Sequence, residues 1–122
     1  MCIRDSNNIV TENKDSTLSS CFDTSNGLFT APVAGTYLFH AGAFTGSGNV
    51  LQQCWFTLNG SRAAGTDVVQ NNTSTYSMVF GTTTMRLSTG NTVGFKPYGG
   101  SASNITIDDN ANHTYFKVTL LH

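Results

Sequence analysis

Charge is what this sequence has least of. Asp, Glu, Lys and Arg make up 11% of its 122 residues, against roughly a quarter in an average soluble domain. The formal net charge is −1, and no Lys/Arg run or basic stripe occurs. Nucleic acid and anionic membrane are therefore not the partners this surface would attract. No apolar run approaches the roughly 20 residues of a spanning helix, so membrane insertion is not expected either. Helical periodicity is nearly missing, which argues against bundles and α/β architectures.

The groups of a catalytic centre are also scarce. The acids beyond the first six residues are Glu12, Asp15, Asp23, Asp67, Asp108 and Asp109, and the histidines are His40, His113 and His122. No Ser, Cys or Thr stands in a nucleophile turn, and no His pair has metal-ligand spacing. The expectation is a binding module, not an enzyme, with no catalytic residue.

No charged-then-apolar leader opens the chain. Met1-Cys2-Ile3-Arg4-Asp5-Ser6 resembles the translated end of a transposase adapter used in sequencing libraries. Residues 1–6 are set aside as such a scar; the alternative is a native start and a disordered tail. Setting Cys2 aside leaves Cys21 and Cys54. A disulfide between them would suit an extracellular setting, and two buried free thiols are the other reading.

What the chain has in quantity is Thr, Ser, Asn and Gly, with turn signals recurring every eight to fifteen residues or so. That spacing describes an all-β sandwich, and 122 residues suffice for one core. Residues 7–20 read as an irregular or edge segment, and residues 21–122 as the domain. In Gly27-Leu-Phe-Thr-Ala-Pro-Val-Ala-Gly-Thr-Tyr-Leu-Phe, Pro32 and Gly35 frame a reversal between two strands. Along the second strand, Tyr37, Phe39, Ala41 and Ala43 share one face, with Leu38, His40, Gly42 and Phe44 on the other. Apolar bulk on both faces predicts the opposite sheet on one side and a partner subunit on the other.

Residues 50–58 alternate, with Leu51, Gln53, Trp55 and Thr57 on one face, and Asn59-Gly60 follows as a strong hairpin signal. Residues 67–74 read as a polar loop. Over residues 76–87 the apolar phase switches from Tyr76, Met78 and Phe80 to Met85 and Leu87, which predicts a bulge near Gly81. Pro97 confines the end of its strand to an edge or a loop mouth. Trp55, Tyr98 and Tyr115 are candidate ligand-facing aromatics, with core or subunit contacts as the other reading. Tyr98, beside Gly99-Gly100, is the foremost of them. Five Asn-x-Ser/Thr sequons begin at Asn59, Asn71, Asn72, Asn104 and Asn112 and carry no weight in so Asn- and Thr-rich a chain.

Four segments together resemble a known family. They are the Gly-x-Phe-Thr-x-Pro-Val-x-Gly-x-Tyr-x-Phe run, the strand ending in Asn59-Gly60, the Leu87-x-x-Gly90-Asn91-x-Val93 segment and the closing Thr-Tyr-Phe-Lys-Val-Thr-Leu-Leu. From about Phe22 to His122 the chain is similar to the globular head of complement component one, q subcomponent, a relative of the tumour-necrosis-factor jelly roll. It departs from the pattern at Asn91, where the family usually has Asp, and at Val118, where it favours Gly.

The resemblance implies a jelly-roll β-sandwich of about ten strands, its first strand missing here, that forms a homotrimer. Tyr37, Phe39, Phe44, Phe116, Val118 and Leu120 would supply core and subunit contact. Family members are secreted or surface-displayed heads, often on a fibrous stalk, whose loops bind proteins or glycans. Some bind calcium near the trimer apex, and Asp108, Asp109 and Asn110 place hard oxygen ligands in the corresponding loop. Asp108 and Asp109 are thus candidate metal ligands, and Asp108, Asp109, Asn110 and Tyr98 candidate ligand contacts. A jelly-roll tip of a viral or phage fibre touching a host surface is the rival to the complement-type head.

Overall fold

The computed structural model describes residues 2–4, 9–11, 21–23, 25–45, 51–70, 77–98 and 114–122. They form eleven strands: β1 (Cys2–Arg4), β2 (Ile9–Thr11), β3 (Phe22–Asp23), β4 (Leu28–Thr30), β5 (Gly35–Thr45), β6 (Gln53–Leu58), β7 (Ser61–Arg62), β8 (Val68–Val69), β9 (Ser77–Leu87), β10 (Thr92–Tyr98) and β11 (Tyr115–Leu120). A large sheet of six strands runs β3-β4-β10-β6-β7, with β8 also on β6; a small sheet of three runs β11-β5-β9. Every pairing is antiparallel, and β1 pairs with β2 apart from both sheets. Alternation thus produces the all-β sandwich that turn spacing anticipates.

The two inner faces meet in an aromatic core. Phe39 of β5 lies 5.6 Å from Phe29, 6.1 Å from Phe56 and 5.9 Å from Phe116, centroid to centroid. Phe22 reaches across the sandwich to Phe116 at 4.8 Å, and Phe56 meets Phe95 at 5.2 Å. Tyr37, Phe39, Phe116 and Val118, expected at core or subunit contact, are all core residues. Their side chains project from β5 and β11 toward the large sheet and are closed off from solvent. Leu120 keeps their phase but reaches the sandwich rim, where it is 39% exposed.

Three local expectations change on folding, and of the two readings of the cysteines the free thiols stand. Cys21 precedes β3 and Cys54 lies in β6, with β4 and β10 between them. Three strand spacings amount to about 14 Å, whereas a disulfide needs Cα atoms within about 7 Å. The bulge near Gly81 is not there: β9 pairs one-to-one with β5 from Gly35↔Leu87 to Thr45↔Ser77. Val79, Gly81, Met85 and Leu87 face inward, leaving Met78 and Phe80 on the outside, so the apparent phase switch is two apolar faces of one regular strand. Gly81 faces the core with Phe56 beside it; an added Cβ would lie 3.4 Å from the Phe56 ring, an ordinary packing contact. Leu51 is fully buried, since regular strand geometry begins only at Gln53 and alternation does not extend back to it. The polar stretch after Asp67 includes a short strand, β8, laid along β6.

Other turns behave as their residues dictate. Asn59 and Gly60 take φ of 51° and 84°, the left-handed pair that a two-residue hairpin requires. Gly35 has no such φ; an added Cβ there would lie 2.9 Å from the His122 carbonyl oxygen and from Leu120 Cδ1. Space, not backbone reversal, requires that glycine. The Tyr37 hydroxyl donates to the Val33 carbonyl at 2.7 Å and pins the Pro32 turn. Asn91 Oδ1 accepts from the Ser88 amide at 2.7 Å, an acceptor role that a carboxylate would also fill. Pro97 lies where β10 has β6 on one side, while β4 pairs only Thr92 and Val93 on the other.

Candidate functional site

Each sheet turns one face outward, and the two outward faces differ in chemistry. On the small sheet, β5 presents Leu38, His40, Gly42 and Phe44, β9 presents Met78 and Phe80, and β11 presents Tyr115 and Lys117. Phe80 is 48% exposed, a large cost for a benzyl group left in water. Gly42 makes room for the Tyr115 ring: an added Cβ would meet Tyr115 Cε1 at 2.8 Å and Met78 Cε at 3.1 Å. Lying across β5, Tyr115 brings its hydroxyl to 2.8 Å from His40 Nε2, with the rings edge to face at 4.9 Å. Lys117 pairs with His40 across the strands, and its ammonium sits 5.3 Å from the Tyr115 ring.

Burial first, and then the Lys117 charge, hold the His40 imidazole below its ordinary value of 6.5. Burial also pushes the Tyr115 phenol up. A neutral His40 accepts from the Tyr115 hydroxyl at Nε2; a protonated ring would have to donate there, beside Lys117.

The large sheet presents a polar and aromatic layer. Lys96 and Tyr98 of β10 stand opposite Trp55 and Gln53 of β6. The Trp55 and Tyr98 rings lie 5.9 Å apart. Arg62 of β7 extends its guanidinium over the Trp55 ring, 3.9 Å from the centroid. Asp67 holds that guanidinium in place, accepting from Nε at 3.0 Å and from Nη2 at 2.6 Å. Gln53 Nε2 donates to the same carboxylate at 3.4 Å. Tyr98 is 43% exposed.

The segment that carries Asp67 is itself anchored. Thr66 Oγ1 accepts from the Phe56 amide at 3.1 Å and donates to the Ala63 carbonyl at 2.9 Å. Burial first, and then the Asp67 charge, push the Cys54 thiol beneath this layer up to about 12, so it stays protonated and unreactive.

Of the residues singled out in the sequence, Tyr98 and Trp55 meet on this layer, while Tyr115 and Phe44 belong to the opposite outer face. Asp108, Asp109 and Asn110 lie outside the described residues, and with them the calcium loop. Arg62, Asp67 and Lys96 were not foreseen in the layer. A signal for Arg62 existed: a two-residue turn at Asn59-Gly60 forces Leu58↔Ser61 and Thr57↔Arg62, which sets Arg62 diagonal to Trp55. Among the described residues no group of three His, Cys, Asp or Glu could hold a metal ion. No helix among them is long and apolar enough to cross a membrane.

The globular domain of zebrafish complement 1qA protein is similar in fold, with a TM-score of 0.54 and 16% identity over 97% of this chain and 82% of that one. No curated protein matches the sequence. The C1q domain family matches residues 5–120, opening well ahead of Phe22 where the motifs begin. That match takes in both sheets and both outer faces, and with it the chain belongs to the C1q domain family.

Proposed function

We propose that this chain is a non-enzymatic recognition head that assembles as a homotrimer, is displayed outside the cell, and contacts its ligand around Tyr98. The observation that carries the reading is the outer face of the small sheet. There Phe80 is 48% exposed, with the half-buried Leu38 and Tyr115 on the same face of the sheet. A benzyl group left in water on a sheet face favours an interface that covers it. Closed symmetric assembly is the usual way a head buries such a face, and a trimer is what the family resemblance implies.

The chemistry of the described residues supports binding over catalysis. The buried thiol of Cys54 is held protonated, and His40 is committed to Tyr115. Calcium at Asp108 and Asp109 belongs to the same proposal as a loop contribution to ligand contact. Sedimentation of the purified chain tests the reading. A species near three times the 13.0 kDa chain mass is expected, and a single-chain mass at all concentrations would overturn it.

A further inference from the structure

The outer layer of the large sheet combines three features that rarely coincide on an exposed sheet. Tyr98 is an aromatic ring open to solvent, set against Trp55. Arg62 is held in one orientation by the paired bonds to Asp67 and by the Trp55 face, so its remaining N–H groups point from a fixed platform. Lys96, half-buried, stands opposite Trp55 and on the same face of β10 as Tyr98, and has no ion pair among the described residues. Asp67 is matched by Arg62, which leaves the layer with one uncompensated positive charge in a chain whose net charge is −1.

An unpaired ammonium beside aromatic rings favours an anion whose body is flat and apolar on one side. A free anion such as phosphate would use Lys96 and leave Tyr98 idle. A neutral sugar would use Tyr98 and leave Lys96 idle. A pyranose bearing a carboxylate uses both: its C–H face lies on Tyr98, its carboxylate meets Lys96, and its hydroxyls meet Gln53 and the free N–H groups of Arg62. Because Arg62 and Gln53 are already fixed on Asp67, little side-chain freedom is lost on binding.

We infer that the Trp55–Arg62–Lys96–Tyr98 layer is a binding site for a carboxylated saccharide. The inference rests on the recognition-head reading but lies within one chain, so it is testable whatever the assembly state. The probe is a short oligogalacturonate titrated calorimetrically into the intact chain, with neutral dextran and poly-glutamate as comparators.

Oligogalacturonate binding that weakens with salt is expected, reduced about tenfold or more by Lys96→Gln and by Tyr98→Ala, consistent with loss of a charge-assisted bond or an aromatic anchor. Arg62→Lys, which keeps the charge but loses the paired bonds, serves as a second variant, and a smaller reduction is expected of it. Unchanged thermal melting of Lys96→Gln separates loss of the site from loss of the fold. Equal binding of dextran, or poly-glutamate binding indifferent to Tyr98→Ala, would overturn the saccharide assignment, the latter in favour of an acidic peptide. Absence of oligogalacturonate binding in any assembly state would overturn this site, and a trimer in the same sample would leave the recognition head standing.

Discussion

Gly42 is the residue on which the outer face of the small sheet turns. The Tyr115 ring crosses the strand where a side chain would otherwise stand, with Met78 closing from the other side. Gly42→Ala should therefore push the ring away from His40 and cost about 1–3 kcal/mol of stability, the usual range for overpacking. A urea titration of the variant checks this, and an unchanged midpoint would mean the ring can move aside freely. Phe39 holds the equivalent place inside, touching aromatic rings from β4, β6 and β11. Phe39→Ala should cost about 3–5 kcal/mol, enough to unfold much of a domain of ordinary marginal stability. Loss of the cooperative thermal transition is the expected signature.

The β6–β7 hairpin links fold to site. Its left-handed turn sets the register that places Arg62 beside Trp55. Gly60 has φ of 84° with open space around it, so Gly60→Ala meets backbone strain and no clash. A cost of about 1–2 kcal/mol is expected from that strain, with weaker quenching of Trp55 fluorescence as the hairpin loosens.

The β5–β11 pair carries a pH dependence. The charged and titratable groups on its outer face are His40 on β5, Tyr115 and Lys117 on β11 and Arg86 on the flanking β9, with no carboxylate among the described residues. His40 is held below 6.5 in the folded chain, so the unfolded chain binds the proton first as pH falls. Its contribution is thus fully present above about 6.5 and is lost as pH drops toward the folded value. The urea midpoint should fall between about pH 7.5 and about pH 5.5, and His40→Gln should flatten that part of the profile. Asp23, held below its ordinary 3.8 chiefly by its hydrogen bonds to Ser25, titrates well under this window.

At the scale of the whole molecule, the two outer faces differ in chemistry, and the proposals assign them different roles. The proposed subunit contact centres on Phe80 of the small sheet, and the charged aromatic layer belongs to the large sheet. Phe80→Asp places a charge in the middle of the proposed subunit contact without touching the core, since Phe80 is 48% exposed. The variant should sediment as a single chain while melting with the same cooperativity per chain at dilution. A Phe80→Asp chain that still forms trimers would place the contact elsewhere on the surface.

The sequence by itself determined the class of fold, because strand alternation and turn chemistry act over a few residues and need no partner. Asn59-Gly60 set its hairpin, Pro32 its turn, and Tyr37, Phe39, Ala41 and Ala43 their shared face, all from local geometry. Tertiary structure decided whatever depended on a neighbour distant in sequence. Gly81 read as a bulge because a switch of apolar phase looks the same whether a strand bulges or has two apolar faces, and Gly35 read as part of a reversal because only residues distant in sequence, Leu120 and His122, fill the space beside it. An alternating pattern gives two faces and does not say which one is covered, and Met78 and Phe80 lie on the outer one. Cys21 and Cys54 stayed open as a pair until sheet order set them three strands apart. Of the candidate site, Tyr98 and Trp55 were visible as exposed-type aromatics, whereas Arg62, Asp67 and Lys96 joined them only through strand pairing across β10, β6 and β7. Local preference is written along the chain, but juxtaposition is a property of the packed sheets.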